Sequence, residues 1–463
     1  MSLGMQNNAL GKKFTTGGLL KFVMPNIVMM VFLSLYTIVD GIFISRTAGE
    51  LALSATNMFY PVTCFQIGLG IMFGTGSSAL IGIQMGRGET IRAKQNFTLM
   101  TVVAFVVGLV IGVICLVNLD GLLRMLGTSD RQMEYAIAYD RCLLFFAPAL
   151  FIQMLFQMFF VTAGKPHLGL GVTIVGGVTN MVLDFVLMGV LDLGTFGAAL
   201  ATGIGYCIPA VFGLLYFSLN KKGSLCFVKI PLVVAKDRAV SPLTSYGRFL
   251  GQACLNGSSE MVSNVSMAIT TFLFNIIFMK FWAESGVAAI TMLSYFQFVF
   301  SAIFMGFSMG LAPVISYKYG AQDRAQLSKV IRFGFIFIVC ASITTYTLAR
   351  GILPLVLQIF TDVGTEAYGI AIGGFSVYAL QFLFMGVSIF SSAMFTALGN
   401  GVISAVISSA RTLIFLVSCQ IILPKLFGKL GVWLSVPVAE MMGIIVAVGF
   451  VIWGEKKYKY FRG

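Results

Sequence analysis

The sequence predicts an all-α membrane protein, with twelve transmembrane helices in two pseudo-symmetric six-helix bundles, parallel repeats set around a central cavity. Three observations predict it. Hydrophobic residues make up 58% of the 463 positions and charged residues 10%, against about 25% charged in an ordinary globular chain; that much apolar surface cannot be hidden in a water-soluble core. The apolar residues fall in long stretches near the roughly 17 to 25 residues that a helix needs to cross the hydrocarbon layer. Finally, a shift of 234 lays Phe73, Gly76, Ile81, Gly86 and Glu89 on Phe307, Gly310, Ile315, Gly320 and Asp323, and Gly197 on Gly431. One offset kept across distant segments is the mark of duplication.

The first span, 18–44, follows a polar N-terminus carrying Lys12 and Lys13. It is too long for a signal-peptide core and lacks a clear cleavage site, so it is expected to stay in the membrane. The second, 52–83, contains Gly70 and Gly74, four residues apart and therefore on one helix face, where small residues let helices approach. The glycines of "GLGIMFGTGSS" superficially suggest a phosphate loop, but no GK[ST] follows, and packing is the better reading. Spans 97–118, 136–160, 169–190 and 198–218 complete the first half. Residues 220–248 are polar and basic with two prolines and read as a linker. The second half holds spans 249–279, 287–317, 333–354, 369–398, 403–423 and 432–453, which gives a lobe at 1–219, a cytoplasmic linker at 220–248 and a lobe at 249–463. Six spans per half is an even number, so both halves enter from the same side, as in transporters whose substrate binds between parallel repeats.

Orientation follows from the basic residues. The side holding both termini carries 21 Lys and Arg and the opposite loops carry 8, with Arg411 inside a span. The positive-inside rule places both termini in the cytoplasm, in a multi-pass plasma-membrane protein surrounded by lipid. The same distribution explains the net charge of +13 without nucleic acid, because the basic residues sit between spans rather than on a folded soluble face. The single histidine, His167, and eight cysteines without a CxxC motif argue against metal and hydrolytic chemistry. No enzyme activity, cofactor or obligatory protein partner is read from the chain.

Most of the 17 acids fall in loops or at span ends, but Asp40, Asp184, Glu260 and Glu440 are read as lying within spans. A charge at the bilayer centre costs about 2.5 to 3.5 kcal/mol on insertion scales, so such acids face the protein interior or a wet cavity and mark function by default. The rival reading is a carboxylate that caps a broken helix or pairs with arginine; the first half has almost no intramembrane base for this. Asn180 and Asp184 are four apart, on one face of span five, and Tyr36 and Asp40 repeat that spacing in span one. With Thr202 in span six and Tyr139 near the start of span four, these oxygens could share a proton or hold a hard cation, H+ or Na+. Any bound metal would be sodium at Asp40, Asn180, Asp184 and Thr202. Pro25 removes a helix hydrogen bond in span one and marks a hinge.

The plan of twelve duplicated spans, Pro25 with "YTIVDGIFIS", "GTGSSALIGIQMGRGE", "TAGKP", Asn180 with Asp184, "FGAALAT" with Thr202, and "LGNG" with "GVWLSVPVAE" together resemble the multidrug and toxic compound extrusion family. The resemblance covers essentially the whole chain and is closest, in its acidic site, to the DNA-damage-inducible F and archaeal branch. It implies ion coupling at Asp40, Asn180, Asp184 and Thr202, with Tyr36 and Tyr139 as neighbours. Glu260 matches an acid of the NorM-like branch, but span ten lacks the acid expected beside it. Glu260, Glu440 and Arg411 are therefore taken as candidates for the substrate cavity or as organisers of the second half, with Arg411 a partner for either glutamate. With no nucleotide motif, the implied function is secondary active antiport of protons or sodium against organic, mainly cationic, compounds. The alternative is a flippase for a lipid-linked precursor, which would be expected to line its cavity with cations.

Overall fold

A computed structural model of the protein describes residues 9–230 and 242–461, and among these the regular elements are all helices. The middle of the basic linker, 231–241, lies outside the described residues. Eight helices are long and apolar enough to cross a membrane. Two of them pass through a sharp break and so cross twice: Pro242–Gly320 breaks at Ala283 (φ 51°), and Leu416–Tyr458 breaks at Gly428 (φ 57°). Two further crossings are bent pairs, Asp130–Phe145 with Ala147–Thr162 at 56°, and Glu366–Tyr378 with Gln381–Ala397 at 57°. Together these make the twelve-helix arrangement.

The irregularities repeat between the halves. The bent pairs are the fourth and tenth crossings, and a π-helical turn interrupts both the fifth (Phe185–Val190) and the eleventh (Ala410–Phe415). Each half is filled by aromatic side chains. Phe97 stacks on Phe227 at 5.1 Å and meets Phe159 and Phe217 edge-on or tilted at 4.8 Å, while Phe307 stacks on Phe337 at 4.0 Å. The polar stretch after span six therefore begins by burying Leu225 and Cys226 and stacking Phe227 on the first half. Val228 N–H also donates to Thr98 Oγ1 at 3.1 Å.

The two halves meet along a seam made of glycine. A Cβ on Gly86 would overlap the Tyr317 carbonyl, and one on Gly320 would overlap the Ile83 carbonyl. These four positions are pairs at the 234 offset, so each half offers the same patch to the other and the contact is isologous about a twofold axis. The flanking contacts obey the same symmetry: Gly76 lies against Ala253 and Gly257, and Gly310 against Val23 and Asn26. Asn26 Nδ2 donates to the Gly306 carbonyl at 2.8 Å, and Asn256 Nδ2 to the Gly76 carbonyl at 3.3 Å. All of these residues lie in the parts of spans one, two, seven and eight nearest the face that carries both described ends. The halves are closed on that face.

The chain before the first span lies across this closed face. A Cβ on Gly164, in the first half, would press on Ala9. On the other side, Lys318 Nζ, with its side chain only 2% exposed, donates to the carbonyls of Gly11 (3.2 Å) and Lys12 (2.9 Å) and pairs with Asp323 at 3.5 Å. Phe14 N–H donates to Gln326 Oε1 at 3.0 Å. Replacing a buried, hydrogen-bonded charge strands its partners, at about 1–3 kcal/mol for each group left unsatisfied. Lys318→Met is therefore expected to loosen residues 9–14 and to speed tryptic cleavage at Lys12 or Lys13 about tenfold, read by mass spectrometry. An unchanged rate would mean that the remaining contacts, the buried Leu10 and the Phe14–Gln326 bond among them, hold the segment.

Candidate functional site

The acids of the first half are brought together by close helix approach. Gly176 lies against the Gly205 carbonyl and Gly205 against Asn180 Cβ, so spans five and six come near enough for Asn180 Nδ2 to donate to Thr202 Oγ1 at 3.2 Å. Gly177 leaves room for the Phe32 ring of span one, which seats that span against span five. Asp40 consequently stands beside Asp184, close enough that a proton on either carboxyl would be hydrogen-bonded to the other. Asn180 and Asp184 are fully buried and Thr202 is 4% exposed.

The electrostatics follow from what is missing around these oxygens. Asn180 Oδ1, both Asp184 oxygens and Asp40 Oδ1 have no hydrogen-bond donor among the described residues. Buried acceptors without donors are costly, and two ionised carboxylates side by side repel. The donor set consists of oxygen alone, which suits a proton shared between the acids or a hard monovalent cation. Asp184 is also the last residue before the π-helical turn Phe185–Val190, and π turns recur at functional sites.

Tyr36 and Tyr139 are both within electrostatic reach of the pair, as the sequence reading expected. Two neighbours were missed. Tyr206 stands by Asp40 as well; it lies four residues after Thr202, on the same helix face, and that spacing was the available signal. Asp140, next to Tyr139, is 1% exposed, and its Oδ2 has no donor among the described residues. Its position near the start of a span made it look like an end-of-helix acid. Pro25 lies buried within Thr16–Ala48, which runs as one helix through it.

The second half assembles a different group. Arg411, in the π turn of span eleven, donates through Nη1 to Glu440 of span twelve at 3.0 and 3.4 Å, with side chains 13% and 9% exposed. Glu260 of span seven stands within electrostatic reach of the same guanidinium. The Asp40–Asp184 pair of the first half thus stands without a base, and the second-half cluster has two acids with one.

Comparison with known proteins agrees with this architecture. The MatE family model matches residues 25–186 and 261–421. The multidrug export protein MepA of Staphylococcus aureus is 22% identical over 440 residues, 93% of this chain and 92% of the relative, and that of Staphylococcus saprophyticus is 20% identical over 435. Among solved structures, an outward-facing multidrug resistance MATE transporter of the MOP superfamily superposes with a TM-score of 0.87 at 21% identity, covering 100% of this chain and 99% of its own. A MOP superfamily transporter from Pyrococcus furiosus superposes with a TM-score of 0.85 at 20% identity over 100% of this chain and 99% of its own. With its two halves each matched by the family model and its full length covered by the solved folds, the chain belongs to the MatE family of membrane transporters.

Proposed function

We propose that this protein is a secondary active multidrug exporter, antiporting protons or sodium ions against organic, mainly cationic, compounds by alternating access. The observation that carries the reading is the Asp40–Asp184 pair, in which Asp184 is fully buried and three of the four carboxylate oxygens have no donor among the described residues. Loading of an ion there removes the repulsion between the carboxylates, so the pair takes up and releases its charge as one unit. Asn180 and Thr202 hold the pair in register, and Tyr36 and Tyr139 wall it in. Pro25 supplies the place where span one bends when the charge changes. On this reading Glu260, Glu440 and Arg411 belong to the cargo side, and the lobes 1–219 and 249–463 rock against each other across the linker.

The test is efflux from proteoliposomes carrying an imposed proton gradient or an imposed sodium gradient, one at a time. One of the two gradients is expected to drive export of tetraphenylphosphonium, a monovalent lipophilic cation. If neither does, ion-coupled export is wrong; if cargo moves only downhill of its own gradient, the protein is a passive carrier.

The charge distribution supports cytoplasmic termini; on that orientation the glycine seam lies on the inner side and the cargo path would open outward. A cysteine introduced between 231 and 241 is expected to resist an impermeant thiol reagent in intact cells and to react in inverted vesicles. Labelling in intact cells would reverse the orientation.

A further inference from the structure

The second-half cluster is built around Arg411, and three features fix it there. Span eleven leaves the α-helical repeat at Ala410–Phe415, which redirects the Arg411 side chain within the span. Gly443 lies one turn beyond Glu440, and a Cβ there would come within 2.9 Å of Arg411 Cγ and 3.3 Å of its Cβ; glycine makes the slot in which the arginine stem lies. Glu440 then accepts from Nη1 only, and the other nitrogens of the guanidinium are not turned to that carboxylate.

Glu260 is brought to this guanidinium by the way spans seven and eleven run. Near the closed face, Gly401 lies against Asn256, and further along Gln420 Nε2 donates to the Thr270 carbonyl at 3.4 Å. The two spans are parallel, and Glu260 and Arg411 lie between these two contacts on facing stretches. A long arginine side chain covers the remaining offset of about one helical turn, roughly 5.4 Å.

We propose that Arg411 is a tethered counter-ion that neutralises Glu440 and leaves Glu260 as the one uncompensated carboxylate of this cluster, fitting the cluster to the charged centre of a monovalent organic cation. This rests on the cationic-cargo reading above. It divides the work between the halves: the first has paired acids free of any base and loads the coupling ion, while a second small cation beside Arg411 would meet a like charge. A buried guanidinium that loses its partner turns to the nearest remaining carboxylate. Glu440→Gln should therefore redirect Arg411 onto Glu260 and close the cargo site.

Binding of tetraphenylphosphonium to the purified full-length protein tests this, with thermal melting to confirm folding. Glu260→Gln is expected to weaken binding about tenfold, and Glu440→Gln to do the same without touching Glu260. The double variant Arg411→Gln with Glu440→Gln is expected to restore binding to within about threefold of the parent, because Glu260 is again unopposed. If Glu260→Gln binds as the parent does, the cationic-cargo reading of Glu260 fails. If Glu260→Gln weakens binding but Glu440→Gln does not, or the double variant stays as weak as Glu440→Gln, the counter-ion assignment is overturned while the cargo reading stands. Should Glu440→Gln fail to fold, Arg411→Gln serves instead: by exposing a second carboxylate it is expected to raise the preference for a bis-quaternary dication, decamethonium, over tetraphenylphosphonium about fivefold, and an unchanged ratio overturns the proposal.

Discussion

Asp184→Asn is expected to abolish ion-driven efflux, by about a hundredfold or more, in protein that still inserts and melts normally. The amide keeps the shape of the side chain and its place at the head of the π turn, so the change removes the titrating charge and little else. Asp40→Asn is expected to match it, because the two carboxyls stand close enough to share one proton. Groups that act as a unit are not additive, so the double variant should be little worse than either single one. A merely structural pair behaves otherwise: each amide would strand a buried group, melting would fall with every substitution, and the double loss would accumulate. Efflux, melting temperature and monodispersity of the three variants decide between them, and normal efflux by well-folded Asp184→Asn would remove the pair from the coupling site.

Gly86→Ala is expected to prise the halves apart on the face they now close. The added Cβ meets the Tyr317 carbonyl, which is backbone and cannot rotate away as a side-chain tip would. Overpacking of this kind costs about 1–3 kcal/mol, or roughly five- to 150-fold in the balance between closed and open seam. Cys254, next to Ala253 at the seam, should then be alkylated correspondingly faster, and on the alternating-access proposal transport should slow as well. Gly320→Ala should behave alike, being the same contact seen from the other half. A parent-like Cys254 rate in both variants would show that the seam yields elsewhere.

Most of the fold could be read because membrane spans announce themselves by length and apolarity, and because a fixed offset of 234 ties Gly86 to Gly320. The core of the first-half site was equally legible: Asp40 and Asp184 stand out in apolar runs, and Asn180 is spaced to join Asp184. Tyr206 was harder, since a tyrosine in an apolar span is ordinary and only its spacing from Thr202 betrays it. Asp140 was hidden by position, because an acid at the start of a span is usually solvated and here the packing of span four buries it. The π turns after Asp184 and around Arg411 leave no pattern in composition or periodicity. They arise where tertiary packing asks one residue more of a turn than the α-helix supplies, and without them the sequence could offer Arg411 only as a partner for either glutamate, whereas the structure pairs it with Glu440.

A patch that mates with its own copy needs no second surface to recognise. The stretch Ile83–Gly86 meets Tyr317–Gly320 in such a way that two unlinked copies of a single six-span half, inserted from the same side, would make the contact without one new complementary residue. Joining the two by a loop such as 220–248 adds nothing to the fit; it fixes a stoichiometry of one to one and lets the copies acquire different sequences. The 234 offset shows where they have used that freedom. Asn26 corresponds to Glu260 and Tyr206 to Glu440, so the interior positions have exchanged amide for acid and phenol for acid. Gly86 and Gly320 have stayed glycine, because at a surface shared with one's own twin any side chain gained by one copy is an obstacle to the other.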